Sequence, residues 1–276
     1  MTKLLTPSEV ERYRRDGFHF PVRVLSAAEA RSFRDKLEAN ERALGGPLSG
    51  HMRQKVNLLF TWANELVRHP TILDAVEDVI GPNILCWSTT FFTKEANSPS
   101  FVSWHQDATY WGLSTSDVIT AWVAFADAPV ESGAMKFWPG SHLRQLAHRD
   151  TFAQDNLLTR GQEIAVDVPE AEGVDVPLKA GEMSLHHVLL AHGSGPNTTG
   201  DRRIGLAIRY IQPHVRQLNE ADRAMLVRGK DTHGNFDLET PPKADLDAAA
   251  LAQHEMSVKL AVRTLYKGTD KTAYRA

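Results

Sequence analysis

A single cysteine, Cys86, in 276 residues leaves no partner for an intramolecular disulfide and too few thiolates for a metal cluster. Any metal must then be held by His, Asp or Glu. No apolar stretch approaches the roughly 20 residues of a membrane-spanning helix. Residues 1–17 mix charges with Leu, Pro and Ser and lack the apolar run of a secretory signal. A cytoplasmic protein with no membrane partner is expected. An excess of one charge is missing as well: 31 basic against 34 acidic residues give a net charge of −3, without the basic tract that nucleic acid would need. Small molecules are the expected partners. Internal repeats and low-complexity tracts are also absent, which excludes solenoid and linker architectures.

What is present reads as one domain over residues 1–276, with a helical part to residue 83. Thr6-Pro7-Ser8-Glu9 supplies an N-cap, a proline at the first helical position and an acidic residue at the third, and Gly17 closes the segment. Ser26-Ala27-Ala28-Glu29 repeats the box, with Phe33, Leu37 and Leu44 at helical spacing before Gly45-Gly46. Pro70 to Ile80, stopped by Gly81-Pro82, makes a third helix. Three helices are therefore expected ahead of the sheet.

From Ile84 the pattern changes to short β-rich runs: 84–93, 101–106, 118–125, 134–138, 174–178, 183–187 and 203–211. Strands without intervening helices predict a mainly β fold with flanking helices, best fitted by a double-stranded β-helix, the cupin-like jelly-roll barrel, over 84–212. The polar stretch at about 147–172 reads as an insertion near the barrel mouth. The tail from 213 ends in a helix over Leu246 to Leu265. Insertion and tail are the segments expected to decide substrate.

Chemistry concentrates in two places. In Trp104-His105-Gln106-Asp107, residues two apart on a strand share a face, so His105 and Asp107 can turn inward together. Alone, this dyad is as readily a satisfied polar residue followed by a turn cap. A third ligand would come from His186, His187 or His192. His192 is preferred because Gly193-Ser194-Gly195-Pro196 opens a turn behind it, leaving His186 and His187 to pack or to orient a ligand. His, Asp and a distant His form the facial triad that holds Fe(II) and leaves coordination positions open. Further on, Arg203, Gly205, Ala207 and Arg209 line one strand face and Ile204, Leu206, Ile208 and Tyr210 the other. Small residues between two arginines would leave room for a ligand, and a guanidinium inside a barrel needs an anion.

Together these motifs resemble the phytanoyl-CoA dioxygenase (PhyH-like) family of Fe(II)/2-oxoglutarate oxygenases. The likeness starts at Tyr13, Asp16, Gly17 and Phe18. It continues through Glu131-Ser132-Gly133-Ala134 and Trp138-Pro139-Gly140-Ser141-His142 to His192-Gly193-Ser194 and Arg202-Arg203. It implies Fe(II), O2 and 2-oxoglutarate as cosubstrate, with His105, Asp107 and His192 as metal ligands and Arg203 on the 5-carboxylate, supported by Ser194. It also implies further cosubstrate contacts at Lys55, Thr90 and Trp122. The implied reaction is hydroxylation of an unactivated C–H bond of a small, polar metabolite, releasing succinate and CO2. Asp107 stands where related halogenases have a small residue, so chlorination is disfavoured. Tyr110, Trp111 and Trp138 are candidate substrate contacts, equally readable as core, and Arg209 could meet an anionic group. The alternatives are a Zn- or Mn-dependent jelly-roll isomerase or hydrolase, and a non-catalytic binding barrel.

Overall fold

Local signals set the first helices. The computed structural model, which describes residues 2–271 and 274, opens α1 (Pro7–Asp16) with a reciprocal box: the Thr6 side chain accepts from the Glu9 N–H and the Glu9 carboxylate accepts from the Thr6 N–H. Ser26 and Glu29 open α2 (Ala27–Leu44) in the same way. Each such cap contributes about 1 kcal/mol. Gly17 at φ 87° and Gly45 at φ 86° close the two helices in the left-handed region that a Cβ disfavours. The expected third helix is α4 (Pro70–Ile80), entered through Pro70.

A short α-helix and a strand among the first 83 residues were not expected. Helix α3 (Thr61–Val67) has seven residues and no side-chain cap. It forms because Trp62, Ala63, Leu66 and Val67 are buried. Strand β1 (Phe18–Arg23) pairs antiparallel with β9 (Glu182–His187) at the edge of the main sheet. Its strand signal is broken by Pro21, a residue sheets admit at edges, and the register shifts between His19 and Val22.

The main sheet has seven strands, which in spatial order are β1, β9, β4 (Val118–Ala124), β11 (Arg203–Ile211), β2 (Ile84–Lys94), β12 (Arg223–Arg228) and β13 (Asp237–Leu238). A second sheet orders β3 (Val102–His105), β10 (His192–Ser194), β5 (Met135–Phe137) and β8 (Val174–Val176). Together they form the expected double-stranded β-helix. The polar stretch 147–172 is more ordered than its composition suggests, because β6 (His148–Asp150) and β7 (Gln162–Ile164) pair antiparallel within it. Helix α5 (Ala248–Leu265) starts two residues later than expected. Leu246 takes φ 56° with its N–H on Leu59 O at 2.8 Å, and Asp247 caps the helix through Ala250 N.

Strand β11 separates the two sides of the main sheet as its parity predicts. Ile204, Leu206, Ile208 and Tyr210 join Leu37, Phe60, Leu66 and Ile72 in the largest apolar core, and the Tyr210 hydroxyl donates to Val67 O at 3.0 Å. Each aliphatic side chain fully removed from water there contributes about 1.5–3 kcal/mol. Ala207 instead packs with Trp122, Met135 and Phe137 between the sheets.

The room expected beside Gly205 is taken by protein. A Cβ there would lie 1.8 Å from Trp122 Cζ2, so the glycine seats the indole and no ligand. Gly205→Ala is expected to destabilise the fold by about 2–3 kcal/mol through overpacking, read as a lower urea midpoint at unchanged slope. An unshifted midpoint would mean that Trp122 repacks freely.

Candidate metal and cosubstrate site

The antiparallel pairing of β3 and β10 sets His105 opposite His192. Their rings come to 4.1 Å between centroids. Strand β3 ends at His105, so Asp107 reaches the site from the short 3-10 turn Asp107–Tyr110 and not from a strand face. Its Oδ1 still lies 3.3 Å from His105 Nε2. One donor atom each from His105, Asp107 and His192 falls within 4.8 Å of the others, and all three residues are buried.

Backbone carbonyls fix both imidazoles. His105 Nδ1 lies 2.9 Å from Ser103 O and 3.1 Å from His192 O, and His192 Nδ1 lies 2.9 Å from Leu190 O. A ring nitrogen bound to a carbonyl carries the proton, which leaves Nε2 as the free lone pair. Burial first and His105 second push His192 down to about 4, so it is a neutral imidazole at pH 7. Burial opposes ionisation of Asp107, but His105 beside it and the charge of Arg209 outweigh that penalty and hold its carboxyl well below the usual range. Neutral imidazole and carboxylate donors at this spacing fit a divalent first-row cation.

Gln106 does point away and acts as a clamp. Its amide donates to Leu189 O at 2.6 Å and Arg144 O at 2.8 Å, and its Oε1 accepts from Leu146 N at 2.7 Å. Of the two remaining histidines, His186 faces the cluster, with its Nε2 4.0 Å from Asp107 Oδ2. His187 packs edge-on against His142 at 5.2 Å instead.

An inner cavity of about 30 Å³ joins the three donors to Trp122, His186, Ser194, Arg203 and Arg209. Arg203 is 1% exposed, its Nε and Nη2 have no hydrogen-bond partner among the described residues, and its guanidinium lies 5.3 Å from the Trp122 ring centroid. Burial pushes it down to about 10, so it stays charged at neutral pH. An orphaned, buried fork of N–H donors fits a bidentate carboxylate such as an end of 2-oxoglutarate.

An outer cavity of about 90 Å³ shares Phe92, Asp107 and Arg209 with the inner one. Lys55, Thr90, Tyr110 and Trp111 line it. Lys55 Nζ is held by Glu239 at 2.6 Å and by Arg223 O at 2.8 Å. Thr90 Oγ1 donates to Gln54 at 2.7 Å and accepts from Arg209 at 2.5 Å. Lys55 and Thr90 are thus not gathered around Arg203 as Trp122 and Ser194 are. Trp138 lies elsewhere, bonded to Glu172 at 3.2 Å and packed with Leu146, Ile164 and Ala191. The insertion contributes Leu157, Leu158, Thr159 and Gln162 to the outer wall, and the tail adds residues from Gln217 to Tyr274.

Sequence reasoning missed Lys94, whose Nζ donates to Ser194 Oγ at 2.7 Å. The signal was there: Lys94 shares strand parity with Thr90 and Phe92, and the strand was read one residue short.

A His-Asp-His cluster faces an arginine that is unpaired among the described residues, inside a double-stranded β-helix, and this is the donor set of a 2-His-1-carboxylate iron site. The chain belongs to the phytanoyl-CoA dioxygenase (PhyH) family, whose model matches residues 13–205. It is 31% identical over 186 residues to a probable alpha-ketoglutarate-dependent hypophosphite dioxygenase of Stutzerimonas stutzeri, the match spanning 64% of each chain. Human peroxisomal phytanoyl-CoA dioxygenase is 26% identical over 231 residues, spanning 75% of this chain and 68% of the human one. Among solved structures, the non-heme monooxygenase ThoJ in its apo form is 41% identical with a TM-score of 0.83, covering 93% of this chain and 96% of that one. CytC3 with Fe(II) and alpha-ketoglutarate has a TM-score of 0.66 at 23% identity, covering 89% and 97%, a likeness of fold. No helix among the described residues is long and apolar enough to cross a membrane.

Proposed function

We propose that this enzyme hydroxylates an unactivated C–H bond of a small, polar metabolite bearing an anionic group. The balanced reaction is R–H + O2 + 2-oxoglutarate → R–OH + succinate + CO2. The observation that carries the reading is the buried Arg203 guanidinium, with two N–H groups unpartnered among the described residues, in the same cavity as the three converging donors. The chemistry Fe(II) supplies at such a site is O2-dependent decarboxylation of the 2-oxo acid coupled to C–H oxidation.

The protein's own residues do the rest. His105, Asp107 and His192 would hold the metal from one side, their Nε2 and carboxylate atoms aimed by the carbonyls and turns around them. Arg203 holds the far carboxylate of the cosubstrate, Ser194 donates to it, and Trp122 keeps water from its flank. Arg209 is buried, has an Nε without a partner among the described residues, and lies 5.7 Å from the Phe92 ring and 5.4 Å from the Trp111 ring, where it meets the acidic group of the substrate. With a near-neutral chain and an outer cavity of only about 90 Å³, a small acid suits the site better than a thioester of CoA.

Anaerobic addition of Fe(II) and 2-oxoglutarate is expected to give the weak visible charge-transfer band of the chelate. Its absence would favour a Zn or Mn hydrolase or isomerase. Succinate formation across a panel of small acids and their amides is then expected to couple to the acids. Arg209→Gln should raise KM for the coupled acid at least about tenfold, as losing one charge-assisted pair in a buried site does. Equal coupling of acids and amides would remove the anionic group from the reading.

A further inference from the structure

We propose that Lys94 is a positioning residue for the cosubstrate carboxylate: it turns the Ser194 hydroxyl proton toward the inner cavity and adds a second positive charge beside Arg203. This rests on the reading of Arg203 and Ser194 as the carboxylate site.

Lys94 ends β2 directly across from Arg203 of β11, and it is fully buried. Its amine donates to Ser194 Oγ at 2.7 Å, to Gly133 O at 3.4 Å and to Gly195 O. With a lone pair of Ser194 engaged by this donor, the hydroxyl is left to donate its own proton, and Ser194 lines the cavity into which Arg203 points. The surroundings are shaped for the ammonium. Gly133 sits at φ 73°, and a Cβ there would lie 2.8 Å from Lys94 Nζ and 2.2 Å from Gly195 O. Asn197 Nδ2 holds the loop after Ser194 against the end of β2, donating to Glu95 O at 2.9 Å and Asp201 O at 2.8 Å.

Among the described residues neither Lys94 nor Arg203 has an ion-pair partner, although each neighbour on adjoining elements does or faces solvent. Glu95 is paired with Arg202, Arg202 also with Glu41, and Asp201 with Arg34, while Glu131 is exposed. His192 lies on the same strand as Ser194. Of these charged groups, Arg203 is the one whose charge acts on Lys94. Two adjacent buried cations without an anion are costly, and a carboxylate placed against Arg203 and Ser194 lowers that cost. Burial first and Arg203 second push the free amine down to about 6. In the free enzyme at pH 7 the amine is mostly neutral, and an arriving carboxylate favours the charged form. Binding therefore takes up a proton, and affinity falls as pH rises above the free value.

The test is calorimetry of 2-oxoglutarate binding to the anaerobic Fe(II)-loaded protein in buffers of different ionisation enthalpy. Uptake approaching one proton per site is expected at pH 7, with affinity weakening roughly tenfold per pH unit from about pH 6 to 8. Lys94→Met is expected to abolish the uptake, to weaken binding about 10- to 100-fold at pH 6, and to raise KM for 2-oxoglutarate far more than it lowers kcat. A flat affinity with no uptake in the unmutated protein overturns the proposal, whether or not the variant folds. A folded Lys94→Met that keeps both signals overturns it too. Arg203→Ala is the control: if that variant also binds 2-oxoglutarate undiminished, the carboxylate site itself has been misplaced.

Discussion

Asp107→Ala is expected to lower 2-oxoglutarate turnover by at least about a thousandfold, roughly 4 kcal/mol of transition-state stabilisation. Asp107 is the only anionic member of the donor cluster and is held ionised inside a buried site. Without it two imidazoles remain, and Arg209, whose charge Asp107 opposes, would face the cation directly. Both changes weaken metal binding. Oxygen consumption, succinate formation and Fe(II) affinity should fall together, and a variant with full oxygen consumption would dispose of the triad. His192→Ala removes a neutral ligand and leaves the charge balance intact, so its loss of metal affinity should be the smaller one.

Arg203→Met should act in opposite directions on function and stability. KM for 2-oxoglutarate is expected to rise at least about a hundredfold, near 3 kcal/mol, because a bidentate charged contact in a buried cavity is lost. In the unliganded protein, however, the same guanidinium is a buried charge whose Nε and Nη2 are unsatisfied among the described residues, beside the buried Lys94 amine. Replacing it with an apolar side chain should raise the unfolding free energy by about 1–3 kcal/mol in urea. A variant that loses stability along with affinity would show that Arg203 is satisfied before any cosubstrate arrives. Lysine is expected to rescue little, since it cannot reproduce the planar fork.

How far the sequence could be read follows from the range of each interaction. Helix ends were legible because Thr6, Ser26, Gly17 and Gly45 act within four residues of themselves. The two faces of β11 were legible because strand parity is local. The His-Asp pair was found, but for a partly mistaken reason: Asp107 arrives from a turn, and sequence cannot distinguish that from strand spacing. Features that depend on distant packing stayed hidden. Helix α3 exists through burial, β1 through its pairing with β9, and the space at Gly205 belongs to an indole on β4. Trp138 is of a residue type suited to a pocket, but it packs with Leu146, Ile164 and Ala191 and lines neither cavity. Lys94 needed only one more residue of strand, yet its burial beside Arg203 depends on a cross-strand partner more than a hundred positions away.

The wall between the two cavities consists of three side chains, Phe92, Asp107 and Arg209, and each of them faces both sides. A partition this thin makes the two binding events parts of one equilibrium. Whatever free energy an outer occupant gives up or gains by ordering Arg209 is passed to the inner occupant, and linkage requires the exchange to be equal in both directions. Cosubstrate and acceptor should therefore tighten or loosen each other's hold by the same factor, so the enzyme's response to either concentration depends on the other.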